Sequence, residues 1–153
     1  MGLKKDSDST PASGIHLWLI LWKAAHAVEQ NARKSVLSLG LGLSDFAVLE
    51  LLLHKGSQPV NVIGKKILLT SGSITTAIDR LESRKLVRRT PHPEDRRAHL
   101  VELTKTGRKL IECVFARHAR DMEEAVAALS EKERAELTRL LKKLGKFAAS
   151  RMG

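Results

Sequence analysis

The sequence predicts a mainly helical chain with one small β-hairpin, and three observations carry that expectation. Apolar residues recur at three- and four-residue spacing through most of the 153 positions, which is the period of an amphipathic helix. Between residues 86 and 103 the period changes: two short runs, Leu86 to Thr90 and Ala98 to Leu103, alternate Val, Thr and Leu with charged side chains, as strands do. The segment joining them holds Pro91, His92, Pro93, Glu94, Asp95, Arg96 and Arg97. Prolines cannot donate to a ladder, so this tip is expected to project as a stiff loop bearing arginines.

The elements follow in order. Residues 1–13 read as a disordered arm, in which Asp6, Ser7, Asp8, Ser9, Thr10, Pro11 and Ser13 separate Lys4 and Lys5 from the first apolar run; a secretory signal would set its charge beside that run. From Ile15 to about Leu37 the pattern is helical, with Ile15, Trp18, Leu19, Trp22, Ala25 and His26 on one stripe and Leu17, Ile20, Leu21 and Ala24 on the opposite side. A helix that is apolar on both sides must be covered on both, which implies a partner subunit. The run from Ile15 to Trp22 stops at Lys23, short of the roughly 18 to 20 residues a bilayer span requires.

Gly40 and Gly42 close this region. Ser44 suits the N-cap of a second helix with Phe46, Leu49, Leu52 and Leu53 inward and Gly56 as its stop. After a loop with Gln58 and Pro59, Val60 to Leu68 forms a short third helix. Thr70 or Ser71 caps a fourth, running to about Lys85, with Ile74, Ala77, Ile78 and Leu81 on its buried face. Ser71, Ser73, Thr75, Thr76, Asp79 and Arg80 remain on the other face. Helix, turn and a second helix with a short polar face is the helix-turn-helix arrangement, whose second helix reads base edges in the major groove. With the hairpin added, the expected fold is a winged helix-turn-helix.

Thr104 caps a long fifth helix with Ile111, Val114, Phe115, His118, Met122, Ala125, Val126 and Leu129 on one face. Ser130 and Glu133 match a capping box. The sixth helix behind it carries the stripe Leu137, Leu140, Leu141, Leu144, Phe147 and Ala148. These helices arrive after the small domain is complete, so with the first helix they are expected to form a dimer interface. The organisation is one domain, with residues 14–40 and 104–150 as a helical dimerisation region around a DNA-binding region at 41–103.

Charge points to the partner. Lys and Arg total 27 against 17 Asp and Glu, a formal net charge of +10. Residues 65–110 hold 12 basic and 5 acidic side chains, a net +7, so the polyanion-attracting field is concentrated around the fourth helix and the hairpin. One cysteine, Cys113, allows neither an internal disulfide nor a thiolate zinc cage and suits the cytoplasm. The six histidines are scattered at 16, 26, 54, 92, 99 and 118, with no pair at metal-ligand spacing. No phosphate-cradling glycine loop or nucleophile motif is present, so no cofactor, metal or enzymatic activity is expected.

The run LTSGSITTAIDRLESRKLVRRTPHPEDRRAHLVELTKTGRKL, residues 69–110, resembles the multiple antibiotic resistance regulator (MarR) family of winged-helix transcription factors. The likeness lies in the recognition-helix segment and in the Asp-Arg-Arg wing followed by a Leu-Thr-x-x-Gly helix start, and the order of elements agrees over residues 15–150. The resemblance implies an obligate homodimer that binds a roughly palindromic operator, usually as a repressor, and releases it when a small, often phenolic, ligand binds. It implies that Asp95 pairs with Arg97 to hold the wing, leaving Arg96 for the groove or a phosphate. It also implies a ligand pocket among the first, second and fifth helices.

Ser71, Ser73, Thr75, Thr76 and Arg80 form the expected base-and-phosphate set with Arg96 and Arg97, since short hydroxyls contact either and Arg can grip guanine bidentately. The bland alternative for this set is a capped helix with an ordinary polar face and a solvated turn. Trp18, Trp22 and His26 could stack on an aromatic effector, or simply pack the dimer core; His54 is a further pocket candidate. His118, which interrupts an apolar stripe, reads as a satisfied core or interface histidine. Redox-sensing relatives carry their cysteine in the first helix, where this chain has none, which argues against such a role for Cys113. Competing functions are a non-specific architectural nucleic-acid-binding protein and a protein-recruiting helical module.

Overall fold

The computed structural model describes residues 13–67 and 71–153. In chain order it runs α1 (Gly14–Ser38), α2 (Leu43–Lys55), β1 (Gln58–Pro59), α3 (Val60–Lys66), α4 (Ser71–Ser83), β2 (Val87–Pro91), β3 (His99–Leu103), α5 (Lys105–Ala125) and α6 (Glu131–Ser150). The expected arm, apart from Ser13, and the cap of α4 lie outside the described residues. Ser13 accepts from the His16 amide and is the N-cap of α1.

The core gathers Leu49 and Leu52 of α2, Ile63 of α3, Ile74, Ile78 and Leu81 of α4, Val87 of β2, Val101 of β3 and Ile111 of α5, all essentially inaccessible to solvent. These are the apolar faces that the helical and strand periods marked out. Burial of each large side chain of this kind contributes about 1.5–3 kcal/mol. The sheet is antiparallel with strand order β1-β3-β2, and Arg89 stands opposite Val101 and Thr90 opposite Leu100.

Three local expectations are corrected. The N-cap of α2 is Gly42, not Ser44, which lies inside the first turn. The stretch Gln58–Pro59 is not merely a loop: it pairs with Leu100 and Val101 as β1. Pro91 belongs to β2, opposite His99; β2 is a sheet edge, where a residue without an N–H costs no ladder bond.

The turn from α4 into β2 is tightly specified. Leu86 N–H donates to the Leu81 carbonyl at 3.0 Å and Lys85 N–H to that of Glu82 at 2.9 Å, with Lys85 in the left-handed region at φ 58°. This is a Schellman-type helix end. Thr104 then joins it to α5: its hydroxyl donates to the Lys85 carbonyl at 2.7 Å and accepts from the Gly107 amide at 3.0 Å. Gly107 passes so close that a Cβ there would lie 1.9 Å from the Leu86 carbonyl oxygen.

Outside this lobe the apolar surface stays open. α1 buries only Ser35 and Val36, and Ile15, Trp18, Ile20 and Trp22 are each more than half exposed. α6 buries no residue, leaving Leu137, Leu140, Leu141 and Phe147 on its surface. Among the described residues no single helix is long and apolar enough to cross a membrane. α1 and α2 together have the composition, but they are bent by 83° and α2 lies in the core.

Candidate nucleic-acid interface

The exposed face of α4 is flanked by two hollows. Thr75 shares a cleft of about 540 Å³ with Arg97, Arg89, Lys65 and Pro59, between the helix and the wing. Ser73, Thr76 and Arg80 share a shallower one of about 500 Å³ with Ser44 and Gly72, against the start of α2. Ser71 opens α4. The Thr76 hydroxyl donates back to the Gly72 carbonyl at 3.0 Å. The structure thus brings Ser73, Thr75, Thr76 and the wing's Arg97 to the two hollows beside α4; the Ser71 side chain lies outside the described residues.

The wing tip folds on itself. His92 N–H donates to the Ala98 carbonyl at 3.1 Å, and Ala98 N–H to that of Asp95 at 3.1 Å. Asp95 accepts from the Arg97 backbone amide at 2.9 Å. The implied pairing of Asp95 with Arg97 is therefore corrected in kind: the carboxylate holds the Arg97 backbone amide and fixes the turn, as a short Asx side chain does, and Arg97 is among the residues that line the cleft. Arg96 is exposed at the tip.

Arg80 departs most from expectation. Its Nε lies 2.9 and 3.1 Å from the two carboxylate oxygens of Asp45, and Nη2 also bonds Oδ1. The guanidinium meant for DNA is thus already engaged bidentately inside the protein, and this bonding raises its pKa above the ordinary arginine value. On the other side of the helix, Arg89 of β2 donates to Asp79 at 2.6 Å and also bonds Glu82. Burial pulls the Arg89 pKa down, but the two carboxylates outweigh it and raise the value overall. Sequence reasoning missed Asp45, Glu82 and Arg89; the one available signal, for Glu82 alone, was that acids appear at all within the most basic stretch.

The proposed effector residues are not assembled into one pocket. Trp18 and Trp22 stack on each other, centroids 6.1 Å apart and planes within 4°, on an exposed part of α1 that includes His26. His54 instead leans edge-on against Phe115 of α5, 4.9 Å between centroids. The hollow between α1 and α5 is polar, lined by Asn31, Lys34, Ser35, Ser38, Asp121 and Glu124. His118 is satisfied, its Nδ1 lying 2.9 Å from the Ser35 hydroxyl.

Comparison with known proteins decides the family. Residues 41–99 match the MarR family, and the transcriptional regulator MhqR of Bacillus subtilis (strain 168) is 40% identical over 131 residues, covering 86% of this chain and 90% of MhqR. The chain belongs to the MarR family. A MarR variant from E. coli, solved with operator DNA, superposes with a TM-score of 0.78 at 27% identity, over 85% of this chain and 94% of that one. BpsR of Bordetella bronchiseptica, whose DNA binding is regulated by 6-hydroxynicotinic acid, gives 0.76 at 26%, over 84% and 98%. This MarR-family chain is accordingly a DNA-binding transcriptional regulator with a winged helix-turn-helix, and its relatives are regulators rather than enzymes.

Proposed function

We propose that the chain is a cytoplasmic homodimeric repressor that grips a twofold-symmetric operator and lets go when a small phenolic ligand binds. The observation that carries this reading is the uncovered apolar surface of α1 and α6: exposed tryptophans and a leucine stripe at both ends of the chain need a second copy to cover them. Residues 14–40 and 104–150 would then form the dimerisation region, and 41–103 the reading head. Ser71, Ser73, Thr75 and Thr76 face base edges and phosphates in the major groove, while Arg96 and Arg97 reach the adjacent minor groove, where a narrow groove deepens the negative potential.

Ligand release is supported by BpsR, whose DNA binding 6-hydroxynicotinic acid regulates; Trp18, Trp22, His26 and His54 are the effector candidates, to be reached at the seam between the two copies. Any effector can shift DNA affinity only by its differential affinity for the two conformations. The test is a gel shift on the DNA flanking the chain's own gene, beside random-sequence duplex, repeated with phenolic compounds. Tighter binding to the flanking DNA, weakened by one of the compounds, is the expected result. Equal binding to both duplexes would replace the reading with charge-driven coating.

A further inference from the structure

Two adjacent residues of α4 are pulled toward opposite neighbours. Asp79 is held by Arg89 of β2 at 2.6 Å, whereas Arg80 is held by Asp45 of α2, with Nε 2.9 Å from Oδ2. Successive helical residues point about 100° apart, so the two ties together fix the rotation of α4 about its own axis. Of the two, the Asp45 tie has the firmer anchor. Asp45 is only 3% exposed, it sits in the first turn of α2 where the helix dipole favours a carboxylate, and its neighbours Phe46, Val48 and Leu49 are core residues. The carboxylate is a fixed point to which the arginine must come.

We propose that Asp45 and Arg80 form a positioning pair that sets the seating of α4 on α2, so that Arg80 governs operator discrimination through the helix it holds and not by touching a base. The proposal rests on the reading of α4 as the recognition helix. It deepens that reading by separating residues that contact DNA from one that aims them. A guanidinium spending Nε and Nη2 on a carboxylate has that bidentate edge filled and its charge partly offset, so it is less well placed to grip guanine, whereas a helix rotated by its loss would displace every neighbouring hydroxyl at once.

The experiment measures binding of the full chain to the flanking DNA and to random duplex across 50–200 mM KCl for wild type, Asp45→Asn, Asp45→Glu, Arg80→Ala and the Asp45→Asn/Arg80→Ala double variant, with circular-dichroism melting of each. Electrostatics alone predicts the opposite of positioning for Asp45→Asn, because removing a negative charge and freeing Arg80 should tighten DNA binding. The expected result is that Asp45→Asn and Arg80→Ala each lower specific affinity about tenfold or more. Random-sequence affinity stays level or rises for Asp45→Asn, the salt slope stays unchanged for Arg80→Ala, and the double variant is no worse than either single. Asp45→Glu keeps the charge while displacing it, and is expected to lose specificity in part; it decides the matter should Asp45→Asn melt below the assay temperature. Full specific affinity in the folded Asp45 variants, or a salt slope reduced by about one in Arg80→Ala, overturns the pair as a positioning device and returns Arg80 to direct contact. Wild type that fails to distinguish the two duplexes sinks the recognition-helix reading itself, a separate outcome.

Discussion

Ser35 of α1 and His118 of α5 meet through Oγ and Nδ1 at 2.9 Å, and the same hydroxyl donates to Asp121 at 2.5 Å. Since the single hydroxyl proton goes to Asp121, Nδ1 carries the hydrogen that Ser35 accepts. The imidazole also stands edge-on to Phe46 of α2, 4.6 Å between centroids. One histidine thereby joins the first, second and fifth helices, at the junction of the DNA-binding lobe and the long helices.

This arrangement predicts a pH dependence. Burial lowers the His118 pKa below its ordinary value of 6.5, and Asp121 and Glu50 oppose the shift without cancelling it. The unfolded chain therefore binds more protons than the folded one between the two values, so stability rises with pH there. The contribution is fully present above 6.5 and is lost as pH falls through the lower folded value. Urea midpoints should drop between pH 7.5 and pH 5, and His118→Gln should drop less; parallel pH profiles for the two proteins would remove His118 from the account.

Gly107→Ala should be among the most damaging single changes in the chain. The added Cβ would meet backbone, the Leu86 carbonyl oxygen at 1.9 Å, which cannot move without breaking the Thr104 N–H bond to that same oxygen at 3.1 Å. Overpacking against a fixed neighbour costs about 3 kcal/mol or more. A denaturant melt reads the loss directly, and a midpoint within error of wild type would show that the α5 start can slide.

Lys85→Gly should act in the other direction. Lys85 is the one non-glycine residue with positive φ among the described residues, at 58°. A side chain in that region costs roughly 1–2 kcal/mol, part of which glycine gives back through the entropy of the unfolded chain. A net gain of about 0.5–1 kcal/mol is expected from chemical denaturation, with loss of stability as the contradictory outcome.

Much of this was legible in the sequence, and the remainder has physical reasons for being hidden. Ile74, Ala77, Ile78 and Leu81 announce α4 because a buried helical face repeats, and the Ser130–Glu133 capping box declares the start of α6 through local chemistry. β1 was invisible because two residues, Gln58 and Pro59, carry no alternation. The Asp45–Arg80 pair spans 35 positions and the Ser35–His118 contact 83. No local period encodes such partners, so Arg80 looked like a free cation on a polar face. The wing motif names Asp95 and Arg97 as residue types, and only the structure gives the atom of Arg97 that the carboxylate holds, its backbone amide.

Arg97→Ala separates the wing from the helix. Arg97 lines the cleft shared with Thr75, while its backbone amide secures the turn through Asp95. The variant should fold and associate as wild type does and lose at least about tenfold in affinity for the flanking DNA, the scale of a lost 1–3 kcal/mol contact. Gel shift alongside size exclusion measures both; undiminished binding would take the wing out of the mechanism.

The central claim is that two copies, held together by α1 and α6, read one twofold site. Its most direct test is light scattering on the free chain and on its complex with a symmetric operator fragment. The prediction is twice the 16.9 kDa chain mass for the free chain and that mass plus one duplex for the complex, on a fragment whose half-sites are centred about 34–36 Å apart. A single 16.9 kDa copy in solution, bound singly to that duplex with full affinity, would contradict it.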